Sequence, residues 1–152
     1  MTASTPRRRP AGPLWGVYPT RQTALASIQA GDLFVAEEDG QIVATAKINQ
    51  EQVPVYASAA WSREAKPQEV MVLHTLVVDP QVKGKGWGSR FEAFYEDYAR
   101  DHGCRDLRMD TNERNAAARR LYHNLGYQEV SILPCEFNGI PGVNLVCLEK
   151  LL

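Results

Sequence analysis

In VVDPQVKGKGWGSRF, residues 77–91, glycines at 84, 86 and 88 alternate with Lys85 and Trp87 just ahead of a helix-forming run, and Lys83 stands before the first of them. Alternate glycines let successive backbone N–H groups turn toward one point, and a following helix adds its unpaired N–H groups and positive dipole end. Such a loop suits an anion, and the two lysine charges suit a diphosphate. The plain alternative is a tight turn that uses glycine for conformation alone. A Walker loop is excluded, because no Gly-x-x-x-x-Gly-Lys-Ser/Thr register exists here. A dinucleotide loop needs Gly-x-Gly-x-x-Gly directly after the first strand, yet position 89 is Ser, Gly84 lies six residues beyond Val78, and the loop falls mid-chain. Asp110, 22 residues past Gly88, keeps a dinucleotide-binding domain open as a minor reading.

The elements that must position this loop are legible from periodicity. Val70–Val78 (VMVLHTLVV) is a nearly continuous apolar run, expected of a strand at the sheet centre covered on both faces. His74 stands at even spacing from Leu76 and Val78, which puts the three on one face of a regular strand. After the loop, Phe91, Phe94, Tyr95 and Tyr98 repeat at helical spacing and Gly103 supplies the stop. Ala118, Leu121, Tyr122 and Leu125 repeat that pattern up to Gly126. Asn115 and Tyr122 are seven apart, which on a helix brings them within about 20° of one face and about 10 Å along the axis.

Around these lie DLFVAEEDGQIVATAKI, two strands about an Asp39-Gly40 hairpin turn, and a weaker strand at residues 53–61. A short strand is expected at residues 104–110, and two more at 127–135 and 143–148 flank Asn138-Gly139. A short helix starts at a Thr20 cap, turns Ala24, Leu25 and Ile28 inward and stops at Gly31. The order predicts a mixed α/β (α+β) sheet with helices on its faces. Residues 1–14, with Arg7, Arg8 and Arg9 among prolines, read as a disordered tail, and residues 15–152 as one domain.

The composition bounds the functions. With 152 residues, 44% apolar and 23% charged, the chain is one soluble globular domain. Seventeen basic against 18 acidic residues give a net charge of -1, so no global field draws it to nucleic acid or anionic lipid. Cys104, Cys135 and Cys147 are odd in number and widely spaced, which signals neither a disulfide framework nor a zinc site and fits a reducing cytoplasm. No window approaches the ~18 apolar residues of a membrane span, and the start is no secretory signal.

Two of these segments together resemble a known family. Val78-x-Pro80 followed by Gly84-x-Gly86-x-Gly88 resembles the acyl-CoA pyrophosphate loop of the GCN5-related N-acetyltransferases. NAAARRLYHNLGY, residues 115–127, resembles their second signature, Asn-x-x-Ala-x-x-Leu-Tyr followed by Gly-Phe/Tyr. The similarity covers roughly residues 15–152. One departure is Lys83, where the family usually has Gln or Arg; it keeps the charge but loses the planar fork. Gln81 offers a second Gln-x-x-Gly-x-Gly match, but the spacing from Pro80 favours Lys83. The resemblance implies a mostly antiparallel sheet with a splayed central strand pair, and an N-terminal strand and helix that are missing or atypical here.

It also implies the chemistry: direct acetyl transfer from acetyl-CoA to an amine through a ternary complex, with no metal. Leu76, Val77 and Val78 would pair by backbone with the pantetheine arm, a backbone N–H there serving as oxyanion donor. Lys83, Gly84, Lys85, Gly86, Trp87, Gly88 and Ser89 would bind the pyrophosphate. Asn115 and Ala118 would meet the pantetheine arm, and the Tyr122 hydroxyl would protonate the leaving thiolate. The base is expected to be His74, with Glu69 or water as alternatives. Trp15, Tyr18, Tyr56 and Trp61 are candidates for an acceptor pocket, or simply core. The partners expected are a small-molecule or peptide amine, neither nucleic acid nor membrane, in a monomer or homodimer. The rival from another class is a module that binds acyl-CoA and senses it without transferring.

Overall fold

Asp39 and Gly40 both take positive φ, 51° and 80°, the pair that a two-residue type I′ hairpin needs. The expected hairpin therefore forms. In the computed structural model, which describes residues 7–8, 28–82, 84–137 and 140–152, β1 (Arg7–Arg8) pairs with β2 (Leu33–Glu38), and β2 with β3 (Gln41–Asn49), both antiparallel. Then come β4 (Val70–Val78), α1 (Trp87–Asp101), β5 (Asp106–Asn112), α2 (Ala116–Asn124), β6 (Gln128–Phe137) and β7 (Ile140–Leu151). Within the segment expected to be a disordered tail, the described residues Arg7 and Arg8 pair with Val35 and Phe34. Of the helix expected to end at Gly31, the described part is its last turn, residues 28–30, and Gly31 has φ 76° with its N–H on the Ile28 carbonyl. Thr20, Ala24, Leu25, Trp15, Tyr18, Lys83 and the Asn138-Gly139 turn lie outside the described residues.

The chain divides into two units, Met1–Asn49 with Leu73–Tyr98, and Gln50–Val72 with Ala99–Leu152. In the first the strand order is β1-β2-β3-β4, and in the second β4-β5-β7-β6, β4 giving residues 73–78 to one and 70–72 to the other. The order is that of the mixed, mostly antiparallel sheet with helices which the resemblance implies. The first unit packs α1 through its aromatic stripe: Phe91 and Tyr95 are fully buried, and Phe34 of β2 meets Phe94 and Tyr98 at ring distances of 5.5 and 5.0 Å. In the second, Tyr56, Val70, Val72 and Cys147 form one core cluster, with Val53, Val55, Trp61 and Leu133 packed around them. The three cysteines are free thiols, and burial pushes Cys147 up to about 11.

Residues 53–61 are not the strand that their apolar content suggested. Pro54 opens a 3-10 turn, Pro54–Ser58, because its ring presets the first helical φ and it has no N–H to give a ladder. The turn carries Tyr56 inward, where its hydroxyl donates to Asp110 Oδ2 at 2.6 Å. Asp110 belongs to an unexpected row of charges. Asp106, Arg108 and Asp110 alternate along β5, so they share one face, and Glu149 of β7 stands opposite Arg108. Residues 50–69 meet that row side chain by side chain. Arg63 Nε donates to Asp106 at 2.7 Å, Arg108 donates to Gln52 at 2.8 Å and stacks on Trp61 at 4.4 Å, and Ser62 donates twice to Glu149 at 2.6 Å.

This arrangement makes a stability prediction. Burial raises the Asp110 carboxyl, and the Tyr56 hydrogen bond offsets the rise only in part. The folded chain thus holds this proton more tightly than the unfolded one. Asp110's contribution is complete below the unfolded carboxylate value and is lost as pH rises through the folded one. Asp110→Asn keeps an acceptor for Tyr56 and removes the titration, so its stability relative to wild type should increase between about pH 4 and pH 8. Urea unfolding at both pH values checks this, and a difference that does not change with pH would refute it. Tyr56→Phe should cost about 1–3 kcal/mol, as expected when a buried acceptor loses its hydrogen-bond donor.

Candidate functional site

β4 changes character halfway along its length. Residues 70–73 are buried, whereas residues 74–78 are half-buried. At the change, Thr75 has φ 49°, a left-handed conformation that is unusual for a β-branched residue. Period-two alternation requires extended backbone throughout, so it does not run across Thr75, and even spacing no longer places His74 on the face of Leu76 and Val78. His74 instead reaches Asn49 at the end of β3: His74 Nε2 lies 2.7 Å from Asn49 Oδ1, and Asn49 Nδ2 donates to Asp32 Oδ2 at 2.8 Å.

Beyond β4, the Asp79 N–H is tied to the Val43 carbonyl at 2.8 Å, and Pro80–Val82 form a 3-10 turn. Gly84 and Gly86 follow with φ 89° and 77°. A Cβ at either would meet no atom within 4 Å, so glycine is required for backbone conformation and the space beside the loop is open. Arg90 N–H donates to the Gly86 carbonyl in the first turn of α1. The N–H groups of Trp87, Gly88 and Ser89 precede it and have no acceptor within the helix. The loop is anchored from beneath: Trp87 is 1% exposed, its Nε1–H donates to Glu38 at 3.0 Å, and Arg90 lies over its ring at 4.1 Å. Trp87 can therefore offer a ligand its backbone rather than its ring. Lys85 is exposed, with Nζ 3.7 Å from Glu38. A strand, an open loop with two left-handed glycines and a helix N-terminus fit a diphosphate group.

In the second unit, Asn115 is not a helical residue. Its φ and ψ are -82° and 76°, and its Oδ1 accepts the Ala118 N–H at 3.1 Å as the N-cap of α2. Asparagine competes for the first free N–H groups of a helix, so the two-turn argument that put Asn115 and Tyr122 on one helical face does not apply. Tyr122 is 7% exposed and its ring meets Tyr127 edge-on at 6.0 Å. Glu69 is engaged by Arg63 at 2.9 Å, and Asp110, which had kept the dinucleotide reading open, is engaged by Tyr56.

The first unit thus holds His74, residues 76–78 and residues 84–89, and the second holds Asn115, Ala118, Tyr122 and Glu69. Tyr56 and Trp61 line an open pocket of about 860 Å³ inside the second unit, together with Gln52, Arg63, Lys66 and Arg108. The charged row on β5 was missed from sequence, although its signal is present as D-L-R-M-D, alternating charged and apolar residues. Among the described residues, no His, Cys, Asp and Glu cluster could hold a metal, and no helix is long and apolar enough to cross a membrane.

Comparison with known proteins bears on this arrangement. The chain is 30% identical over 97 residues to "Uncharacterized N-acetyltransferase YhfO" of Bacillus subtilis, covering 64% of this chain and 58% of that protein. It is 28% identical over 102 residues to "Uncharacterized N-acetyltransferase MJ1207" of Methanocaldococcus jannaschii, covering 66% of this chain and 44% of the other. The chain thus spans about half the length of these relatives. Among solved structures, a GNAT-family acetyltransferase from Streptococcus agalactiae shares the fold with TM-score 0.73 at 23% identity, over 89% of this chain and 73% of that one. So does yncA from Salmonella typhimurium, solved with its cofactor acetyl-CoA, with TM-score 0.63 at 21% identity, over 86% and 70%. The family model for the acetyltransferase (GNAT) family matches residues 5–127, running through both the glycine loop and the Asn115–Tyr127 signature, so the chain belongs to that family.

Proposed function

We propose that the chain transfers the acetyl group of acetyl-CoA directly to an amine acceptor in a ternary complex. The observation that carries this reading is the open loop after β4, with Gly84 and Gly86 in left-handed conformation at the start of α1. The relatives named as N-acetyltransferases and the neighbour solved with acetyl-CoA support the same substrates. Acetyl-CoA supplies the activated acyl group. Backbone N–H groups of residues 84–89 hold its diphosphate, with Lys85, and by the family pattern Lys83, adding charge at the loop. The half-buried residues 76–78 offer backbone pairing to an amide-bearing arm and an N–H to the carbonyl oxygen. His74 takes the proton from the amine, Tyr122 gives one to the departing sulfur, and Asn115 and Ala118 mark the α2 end that meets the arm.

A thiol-release assay with acetyl-CoA over a panel of small amines and peptides tests the reading. Turnover on at least one acceptor is expected. Stabilisation by acetyl-CoA without turnover on any acceptor would support the sensing module instead.

A further inference from the structure

Asp32, just ahead of β2, Asn49 at the end of β3 and His74 in β4 form a hydrogen-bonded chain whose direction is fixed by its first member. A carboxylate only accepts hydrogen bonds, so the Asn49 side chain must turn its NH₂ toward Asp32, as it does at 2.8 Å. The amide oxygen is then the atom left to meet the imidazole, and His74 Nε2 lies 2.7 Å from it. An amide oxygen cannot donate, so Nε2 must carry the proton. In the neutral ring the lone pair is then on Nδ1. Backbone pairing holds the first two members: the Ile48 N–H donates to the Asp32 carbonyl at 2.9 Å, and Leu33 stands opposite Lys47.

We infer that Asp32 and Asn49 are positioning residues that lock His74 in the Nε2–H tautomer and so present Nδ1 as its basic atom. The catalytic half of this inference rests on the proposed amine acetyl transfer. In that step the nitrogen's electron pair forms the new bond to the acetyl carbon, an amine N–H bond breaks, and the carbon–sulfur bond breaks with its electron pair leaving on the sulfur of CoA. The proton passes to His74 Nδ1, and the resulting imidazolium keeps its Nε2–H on Asn49 Oδ1. The Asn49 dipole, oriented by the Asp32 charge, stabilises that cation, and the proton then leaves to solvent. Without the carboxylate, either face of the Asn49 amide can meet the ring. The reversed amide presents NH₂ to Nε2, which must then accept, and the proton moves to the nitrogen that the reaction needs bare.

The test is nitrogen-15 NMR of histidine-labelled full chain, with the His74 signals assigned by their loss in His74→Gln. Wild type should show a protonated Nε2 and an unprotonated Nδ1. Asp32→Asn should shift the ring toward the other tautomer and lower kcat about tenfold, since a base in the wrong tautomer is inactive, with KM for acetyl-CoA unchanged. Asp32→Glu should restore part of both. A wild-type spectrum with the proton on Nδ1 overturns the inference whether or not any variant folds, as does an unchanged His74 spectrum in Asp32→Asn. If the tautomer shifts while kcat on a turned-over amine stays at the wild-type value, the lock stands and the base role of His74 falls. The proposed acetyl transfer itself fails only if wild type turns over no acceptor.

Discussion

Gly86→Val is expected to weaken acetyl-CoA binding by about 100-fold, the equivalent of about 2.7 kcal/mol. Gly86 has φ 77°, and a left-handed conformation costs an L-residue about 1–2 kcal/mol, more when the side chain is β-branched. Valine would therefore pull the loop toward negative φ and swing the N–H groups on either side away from their common point. The new methyl groups would also stand in the open space beside the loop, where a Cβ meets no protein atom within 4 Å. The loss thus has no source in an internal clash. Gly103 provides the control, with φ 72°, equally open surroundings and a place after the far end of α1. Gly103→Val should lose stability to a similar degree and bind acetyl-CoA as wild type does. Calorimetric titration of both variants decides the matter: undiminished binding by Gly86→Val sinks the loop assignment, and equal losses in the two would make the effect one of stability.

The parts of this fold that could be read in advance are those where one local requirement decides. Asp39-Gly40 is a hairpin because few other pairs take positive φ at both positions. Val70–Val78 is a strand because a run of that length, mostly β-branched, suits a sheet buried on both faces. Residues 53–61 failed because apolar content is shared by strands and by irregular segments packed on a core, and Pro54 tipped the balance. The charged row on β5 failed for the converse reason. The alternation of Asp106, Arg108 and Asp110 carries no local sign of what covers it, and residues 50–69 cover it and provide its partners.

The site divides in the same way. The glycine loop was legible because its requirement is carried by the backbone of a few adjacent residues. Spacing placed Asn115 on the face of Tyr122 and His74 on the face of Leu76 and Val78, which assumes regular elements, and each sits where an element stops being regular. Asn115 is a cap rather than a helical residue, and His74 adjoins the left-handed Thr75. Contacts between residues far apart in the chain, such as Asp32 with Asn49 and Asn49 with His74, have no local signature at all.

Tyr122→Phe is expected to lower kcat by about 100-fold, within the range for loss of a general acid, and to leave KM for acetyl-CoA within about twofold of wild type. Phenylalanine keeps the buried ring and its edge-on contact with Tyr127, so the packing of that helix survives the change. What is removed is a hydroxyl proton that can stabilise, and finally meet, the charge that builds on sulfur as the bond breaks. The pH profile separates this role from a packing role. In wild type, kcat should rise with loss of a proton from the base and fall at alkaline pH as the tyrosine ionises. The phenylalanine variant should keep the acidic limb and lose the alkaline one. A variant slowed equally at every pH would point to disturbed geometry, and one with wild-type turnover would remove Tyr122 from the chemistry and leave the thiolate to depart unassisted.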